Sequence, residues 1–161
     1  MKNKNISHAH SDRDLLCEVG RVATQWSLLE VRLIDALAAL SGIDREDALC
    51  MFSGKGAFDL LEMMECWIGE RCLHDQRICE GFNEFWDRAN ECRQWRNKLQ
   101  HCIFERDEGA FVLKQAKKGK RALQVSEVAV TCSDVSAWAE EIVDLTGQLD
   151  DLLSIILNVS D

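Results

Sequence analysis

An arginine, an asparagine and a histidine lie close together in the middle of the chain, at Arg96, Asn97 and His101. Arginine stays positively charged, and its planar guanidinium can bind two phosphate oxygens at once. Histidine titrates near neutral pH, so its imidazole can accept and return a proton. The asparagine lies one helical turn before the histidine and can orient the imidazole or bind a phosphate. These side chains suit the binding of a phosphate and the transfer of a proton.

The position of Arg96 in its own segment is unusual for a charged residue. The preceding apolar residues recur in steps of four and three, at Ile78, Phe82, Phe85, Ala89 and Cys92. The next two positions of this apolar face are Arg96 and Leu99. Because charged side chains are rarely buried unless they are paired, Arg96 must have a partner. That partner is either a carboxylate, with Glu62 and Glu65 as candidates, or a bound phosphate.

Three long amphipathic segments predict a helical bundle. The first follows a capping signal at Ser11–Asp14 and ends at Gly42. The second runs from about Asp75 to Gln100, and the last is opened by Ser133-Asp134. Two shorter helices are predicted between the first and second. One can be capped by Asp44 and Asp47 and runs through Met51 or Phe52, and the other runs from Ala57 to about Arg71. The fold class is therefore mainly α, an up-and-down helical bundle.

The hydrophobic period changes from helical to alternating after residue 101. Apolar and polar residues alternate over 102–106, 110–115 and 121–131, with turn signals between these stretches. We predict a small antiparallel β-hairpin or meander within residues 102–131, inserted before the last helix. The whole chain, residues 1–161, is then one domain, with residues 1–10 as a loose N-terminal arm.

Composition narrows the class of protein. The chain has 161 residues, of which 47% are hydrophobic and 29% charged, which suits one globular domain. The net charge of -9 argues against a protein that coats nucleic acid by bulk electrostatics, although it permits a local basic site. The N-terminal residues lack the apolar core of a signal peptide, and no segment is long enough for a membrane span. We expect a cytoplasmic protein without membrane contact.

The eight cysteines form no C-x-x-C pair, so the usual zinc and thioredoxin signatures are absent. Without a secretory signal, a disulfide framework is not expected. Several of these cysteines lie on apolar helix faces, where a thiol acts as a small hydrophobic side chain. Cys72, His74 and Cys79 could hold a metal ion in principle, but their spacing equally suits a helix junction. We expect free thiols, no metal and no cofactor.

The segment Arg96-Asn97-Lys98-Leu99-Gln100-His101 resembles the Arg-x4–6-His motif of HEPN domains, in which Asn often follows the Arg. The order of elements is similar too, over roughly residues 12–158: helices, the motif at a helix end, a short hairpin and a terminal helix. HEPN domains are all-α bundles and commonly dimers. Many are metal-independent endoribonucleases, and others have lost activity and serve as binding modules.

The resemblance implies catalytic roles for Arg96, His101 and Asn97. His101 would take the proton of the ribose 2′-OH, and Arg96 would stabilise the extra charge on the phosphorane. Two motifs would face each other across a dimer axis to make one composite cleft. Within one chain, Arg96 and His101 converge only if the helix ends between them, as the strand pattern from Cys102 suggests. From the resemblance we expect a homodimer that cleaves RNA.

Two alternatives remain open. One is a catalytically inactive HEPN-like module that binds a partner protein or a nucleotide. The other is purely structural, with Arg96 paired to Glu62 or Glu65 and His101 acting as a helix C-cap.

One subgroup of HEPN toxins carries a tyrosine two residues after the histidine, where the antitoxin modifies it. The corresponding residue is Ile103, and the chain contains no tyrosine. The resemblance therefore lies outside that subgroup. A toxin-like role in defence or stress response, with an antitoxin or another partner protein, is an expectation from the wider family.

The candidate RNA contacts are few. Arg93 lies one helical turn before Asn97 and could bind a phosphate, and Trp95 could stack a base or simply pack. The one basic run in the chain either guides RNA toward the motif or is a solvated hairpin turn. It comprises Lys114, Lys117, Lys118, Lys120 and Arg121.

Overall fold

The computed structural model describes residues 4–71, 75–107, 110–118 and 123–159. The chain is mainly helical, with a small antiparallel sheet inserted before the last helix, which confirms the predicted fold class. The described elements are α1 (Lys4–Ser41), α2 (Arg45–Phe52), α3 (Ala57–Arg71), α4 (Gln76–His101), β1 (Ile103–Asp107), β2 (Ala110–Lys118), β3 (Leu123–Val130) and α5 (Cys132–Val159).

Helix α1 begins at Lys4, so the prediction of a loose arm over residues 1–10 is wrong for Lys4–His10. This segment contains neither proline nor glycine, and nothing in it interrupts a helix. The capping signal at Ser11 is overridden because serine is also tolerated inside helices at a small cost. The other end was predicted correctly, since α1 ends at Ser41 and Gly42 follows with a φ of 70°.

The chain divides into two compact units. The first comprises Met1–Thr24 and Cys92–Glu141, and the second comprises Gln25–Glu91 and Ile142–Asp161. The first unit therefore contains the start of α1, the end of α4, the sheet and the start of α5. The predicted motif lies wholly within it. That the whole chain forms one domain stays a prediction.

Among the side chains that the structure describes, every element of the first unit except β1 contributes a buried residue to its core. Arg21 of α1 also joins this helix to α5, through an ion pair with Glu140 and a hydrogen bond of 3.4 Å to the Ser136 hydroxyl. Burying apolar side chains of this size stabilises a fold by about 1.5–3 kcal/mol each. The buried apolar residues are Leu15, Val22, Cys92, Leu99, Phe111, Leu113, Val130, Val135 and Ala139.

In the second unit the predicted apolar faces of the helices are buried. Trp26 belongs to this core, and its indole donates a hydrogen bond of 2.8 Å to Glu30. The same carboxylate accepts the backbone N–H of Ala57 at 3.3 Å and so supports the start of α3. Other buried members are Leu29, Leu33, Ala36, Leu40, Leu61, Met64, Ile68, Ile78, Phe82, Phe85, Ala89, Ile142, Leu145, Leu149, Leu152 and Ile156. Within the described residues, no helix combines the length and apolar character needed to cross a membrane.

The predicted insert is a three-stranded antiparallel meander, in the order β1-β2-β3. Ile103 pairs with Lys114, and Phe111 pairs with Val130. Phe111 and Leu113 are buried whereas Val112 and Lys114 between and after them are only half-buried, as expected for a strand with one core-facing side. The insert therefore follows the last residue of α4 with only Cys102 between them.

Candidate functional site

All residues of the motif lie on α4, which continues through His101. We expected the helix to end between Arg96 and His101 so that the two could converge, and this expectation is wrong. On a continuous helix, five residues correspond to a separation of about 140° around the axis, at about 100° per residue. Arg96 is half-buried and His101 is exposed. The helix itself therefore aims the two side chains in different directions.

Asn97 determines where the end of the Arg96 side chain lies. The Nη1 atom of Arg96 donates a hydrogen bond of 3.0 Å to the Asn97 side-chain oxygen. The Nε atom of Arg96 is buried. The guanidinium is thus drawn from the apolar face of α4 toward the side of the helix that carries Asn97. We predicted that Asn97 would orient the imidazole or bind a phosphate, but its observed contact is with the arginine.

Arg93, Asn97 and His101 form one stripe on α4, because they follow each other at intervals of four residues. Arg93 and Asn97 are half-buried, and His101 is the exposed last residue of the helix. Among the described residues, no hydrogen bond joins His101 to Asn97. The stripe runs from Arg93 past Asn97, which accepts the hydrogen bond from Arg96, to the exposed imidazole of His101.

Trp95 lies on the opposite flank of the apolar face and is half-buried. Its ring stacks on Trp138 of α5, with centroids 4.5 Å apart and planes tilted by 13°. The Nζ atom of Lys98 lies 3.9 Å from the centroid of Trp95. This column of cation, indole and indole is the feature that sequence reasoning missed. The available signals were the spacing of Trp95 and Lys98, three residues apart, and the place of Trp138 in the apolar face of α5.

Cys102 directly follows the motif and is half-buried. Its thiol donates a weak hydrogen bond to the Leu99 carbonyl, with 3.6 Å between sulfur and oxygen. Burial raises the pKa of the Cys102 thiol above its ordinary value, because a thiolate is poorly solvated there. The thiol is therefore protonated at neutral pH, and its position beside His101 does not make it a nucleophile.

Within the basic run, Lys114 is the residue whose side chain the structure describes. Lys114 lies between two carboxylates, with Nζ 2.6 Å from Glu105 and 3.3 Å from Glu127. Hydrogen bonds to both carboxylates raise the pKa of Lys114. A lysine engaged in this way is a weak candidate for RNA. Lys117 and Lys118 lie at the end of β2, and the places of their side chains fall outside the described residues, as does the whole of Lys120.

The alternative partners of Arg96 are the two carboxylates of α3. Glu62 and Glu65 are both exposed. The pairing of Arg96 with either of them stays a prediction.

The candidate metal ligands Cys72 and His74 fall outside the described residues, and Cys79 is half-buried on α4. Within the described part of the chain, no group of three or more potential ligands could hold a metal ion.

Comparison of the chain with models of known families, with curated proteins and with solved structures finds no match.

Proposed function

We propose that this protein is a metal-independent endoribonuclease of the HEPN type. The observation that supports it best is the Arg96–Asn97 hydrogen bond at the end of α4, on the helix that ends in an exposed His101. Arg96 donates one hydrogen bond to a neutral amide, which does not compete with a phosphate for its positive charge, and a guanidinium carries five N–H donors. The exposed imidazole of His101 can take a proton from a ribose whose phosphate is held by the arginine of a second copy of the chain.

In this reaction His101 removes the proton of the ribose 2′-OH as the 2′ oxygen attacks the adjacent phosphorus. Arg96 stabilises the additional negative charge on the phosphorane oxygens. The bond to the 5′ oxygen then breaks, and the leaving oxygen takes up the proton from the imidazolium. The products are a 2′,3′-cyclic phosphate and a 5′-hydroxyl, so no water or metal ion enters the first step.

The proposed cleft forms between two copies of the chain. Because Arg96 and His101 point about 140° apart on one helix, a phosphate held by one arginine is best reached by a histidine that approaches from outside that helix. A second α4 end, facing the first across a two-fold axis, supplies it. A homodimer therefore belongs to the proposal, together with RNA as substrate and the cytoplasm as its location.

The experiment that tests the proposal is RNA cleavage in the presence of EDTA by the wild type, Arg96→Ala and His101→Ala. Varied RNAs serve as substrates, including unpaired loops and structured hairpins. We expect cleavage by the wild type and its loss in both variants. Gln100→Ala is a matched control, since Gln100 is exposed on the same turn of α4. Equal cleavage by all four proteins, or none by any of them on any RNA, would reject the assignment.

A second candidate is an inactive HEPN-like module that binds a partner protein or a nucleotide. It is favoured by His101, for which no orienting hydrogen bond exists among the described residues. Catalytic histidines are usually held in one orientation by a second group. The two candidates differ in a simple test: a nucleotide or protein ligand that binds without turnover, and whose binding is insensitive to His101→Ala, favours the binding module.

A further inference from the structure

The column formed by Lys98, Trp95 and Trp138 suggests how the substrate is held. Trp138 covers one face of the Trp95 ring, with 4.5 Å between the centroids. Lys98 Nζ, at 3.9 Å from the same centroid, must lie over the other face, because both groups cannot occupy one face at these separations. The outer face of Trp95 is therefore covered by the half-buried side chain of Lys98, and the inner face packs against Trp138 of α5.

The lysine that covers this face has no stronger partner. Among the described residues Lys98 makes no ion pair, and its one recorded interaction is with the Trp95 ring. Trp95 and Lys98 are both half-buried, and a cation–π contact between them is weak, whereas stacking of a nucleobase on the same ring is a stronger interaction. The ammonium that is displaced then gains a phosphate, with release of counterions from the nucleic acid. Replacing the lysine by a base on the ring is therefore favourable both for the Trp95 ring, which gains a stacked base, and for the ammonium, which gains a phosphate.

The positions on α4 connect this face to the motif. At about 100° per residue, Lys98 lies about 60° around the helix from Trp95 on one side and about 60° from His101 on the other. A lysine released from the ring can thus turn toward the side of the helix that carries His101. A base on Trp95 and its phosphate at Lys98 would lead the RNA chain toward the imidazole.

We infer that the outer face of Trp95 is a stacking site for one unpaired base of single-stranded RNA, which displaces Lys98 so that its ammonium binds the phosphate next to that base. The choice of RNA as the ligand rests on the proposed function. The site takes an unpaired base, because a base in a duplex is already stacked on both faces and cannot lie flat on an indole.

The test measures binding separately from cleavage. The probe is an end-labelled single-stranded 2′-O-methyl oligonucleotide of mixed sequence, which lacks the attacking hydroxyl, and the readout is fluorescence anisotropy. We expect Trp95→Leu to weaken binding about 10-fold. Trp95→Phe keeps an aromatic face and should stay within about threefold of the wild type. Far-UV circular dichroism confirms that each variant is folded. A matched duplex probe should bind more weakly than the single strand.

The role of Lys98 is tested by the salt dependence of RNA binding. Removing one phosphate contact from a single-strand complex lowers the slope of log Kd against log salt concentration by about 0.7. We expect this change for Lys98→Met and an unchanged slope for Lys55→Met, a control in an exposed turn outside α4. An unchanged slope for Lys98→Met, equal affinity for wild type and Trp95→Leu, or preference for the duplex would each overturn the inference.

These outcomes are distinguishable from failure of the proposed function. If Trp95→Leu binds like the wild type while Arg96→Ala no longer cleaves RNA, the stacking site is wrong and the nuclease stands. If Trp95→Leu loses binding while the wild type cleaves no RNA, the stacking site stands and the nuclease is wrong.

Discussion

The side-chain amide of Asn97 contacts the guanidinium of Arg96 and so affects its orientation. Arg96 begins on the apolar face of α4, between Cys92 and Leu99, which are both buried. Its hydrogen bond to Asn97 draws the guanidinium toward the stripe that ends at His101. A carboxylate at the same place would hold the arginine more strongly but would compete with phosphate for its charge. The hydrogen bond to a neutral amide does not compete with an anionic ligand for this charge.

Replacing Asn97 therefore tests orientation separately from charge. We expect Asn97→Ala to lower the rate of RNA cleavage by about 10- to 100-fold, because a misplaced catalytic group costs about that much. Asn97→Asp retains an acceptor oxygen for Arg96 but adds a negative charge beside the substrate phosphate, so it should lower affinity for RNA as well. Single-turnover kinetics separate the two effects. A cleavage rate for Asn97→Ala equal to that of the wild type would show that Asn97 does not position Arg96.

At the scale of single elements, the candidate site lies where α4 ends and α5 begins. Helix α5 begins at Cys132, one residue before the start that the Ser133-Asp134 signal indicated. Thr131 and Asp134 form a reciprocal cap at this end, in which Asp134 accepts from the Thr131 backbone N–H and hydroxyl, both at 2.7 Å. The Asp134 N–H donates to the Thr131 hydroxyl oxygen at 3.2 Å. This cap fixes the start of the helix that carries Trp138.

The cap makes a prediction about stability and pH. Hydrogen bonds from Thr131 hold the pKa of Asp134 below its ordinary value. A lowered pKa in the folded state means that the ionised form is stabilising above the unfolded pKa, and that this contribution is lost as the pH falls through the folded value. We expect Asp134→Ala to lower the free energy of unfolding by about 1 kcal/mol at pH 7.

Urea denaturation at pH 7 and near pH 3 measures the difference in the free energy of unfolding between Asp134→Ala and the wild type. This difference should be smaller at the lower pH, because protonation of the wild-type carboxylate removes its contribution. Ser133→Ala is the control, since Ser133 is the exposed neighbour in the same helical turn. A difference that is the same at both pH values would contradict the role of the ionised cap.

Replacing either of two glycines by alanine should change the free energy of unfolding, and the two changes should have opposite signs. Gly147 lies inside α5, and a Cβ atom there would have no atom within 4 Å. Gly147→Ala should raise the free energy of unfolding by about 0.5–1 kcal/mol, because glycine is a poor helix former. Gly42 has a φ of 70° after the end of α1, so Gly42→Ala should lower it by about 1 kcal/mol. Thermal or urea unfolding checks both, and shifts of the same sign would contradict the backbone argument.

Hydrophobic spacing predicts most of the helices because burial acts on every turn of them. Ile78, Phe82 and Phe85 are buried as their spacing indicates, and α3 spans the predicted residues. The start of α1 could not be predicted from the same signal, since Ser11 offers a cap without forcing the helix to begin there. The contact between Trp95 and Trp138 joins residues on two different helices, and a periodic pattern within one helix carries no information about its partner.

At the scale of the whole molecule, the net charge limits how the proposed RNA substrate can be bound. A chain with a net charge of -9 repels a polyanion at long range, so the proposed binding depends on a few local cations and on stacking. Arg93, Arg96 and Lys98 lie within six residues on α4, whereas Lys114 is neutralised by two carboxylates. Local binding of this kind suits a cleft completed by a second copy of the chain.

The oligomeric state is the prediction that belongs to this scale. We expect sedimentation analysis to give a dimer at micromolar protein concentration, because the two catalytic side chains diverge on a single helix. Dilution should lower the specific activity once the dimer dissociates. A monomer at all concentrations that show cleavage would remove the composite cleft.

The chemistry at Arg96 and His101 is tested most directly by the ends of the cleaved RNA. Products formed in EDTA should be analysed by mass spectrometry, for the wild type and for Arg96→Ala and His101→Ala. We predict 5′ fragments that end in a 2′,3′-cyclic phosphate, with none of them formed by either variant. Fragments that end in a 3′-hydroxyl, cleavage that requires a divalent metal, or cyclic phosphate ends from Arg96→Ala and His101→Ala would contradict the proposed function.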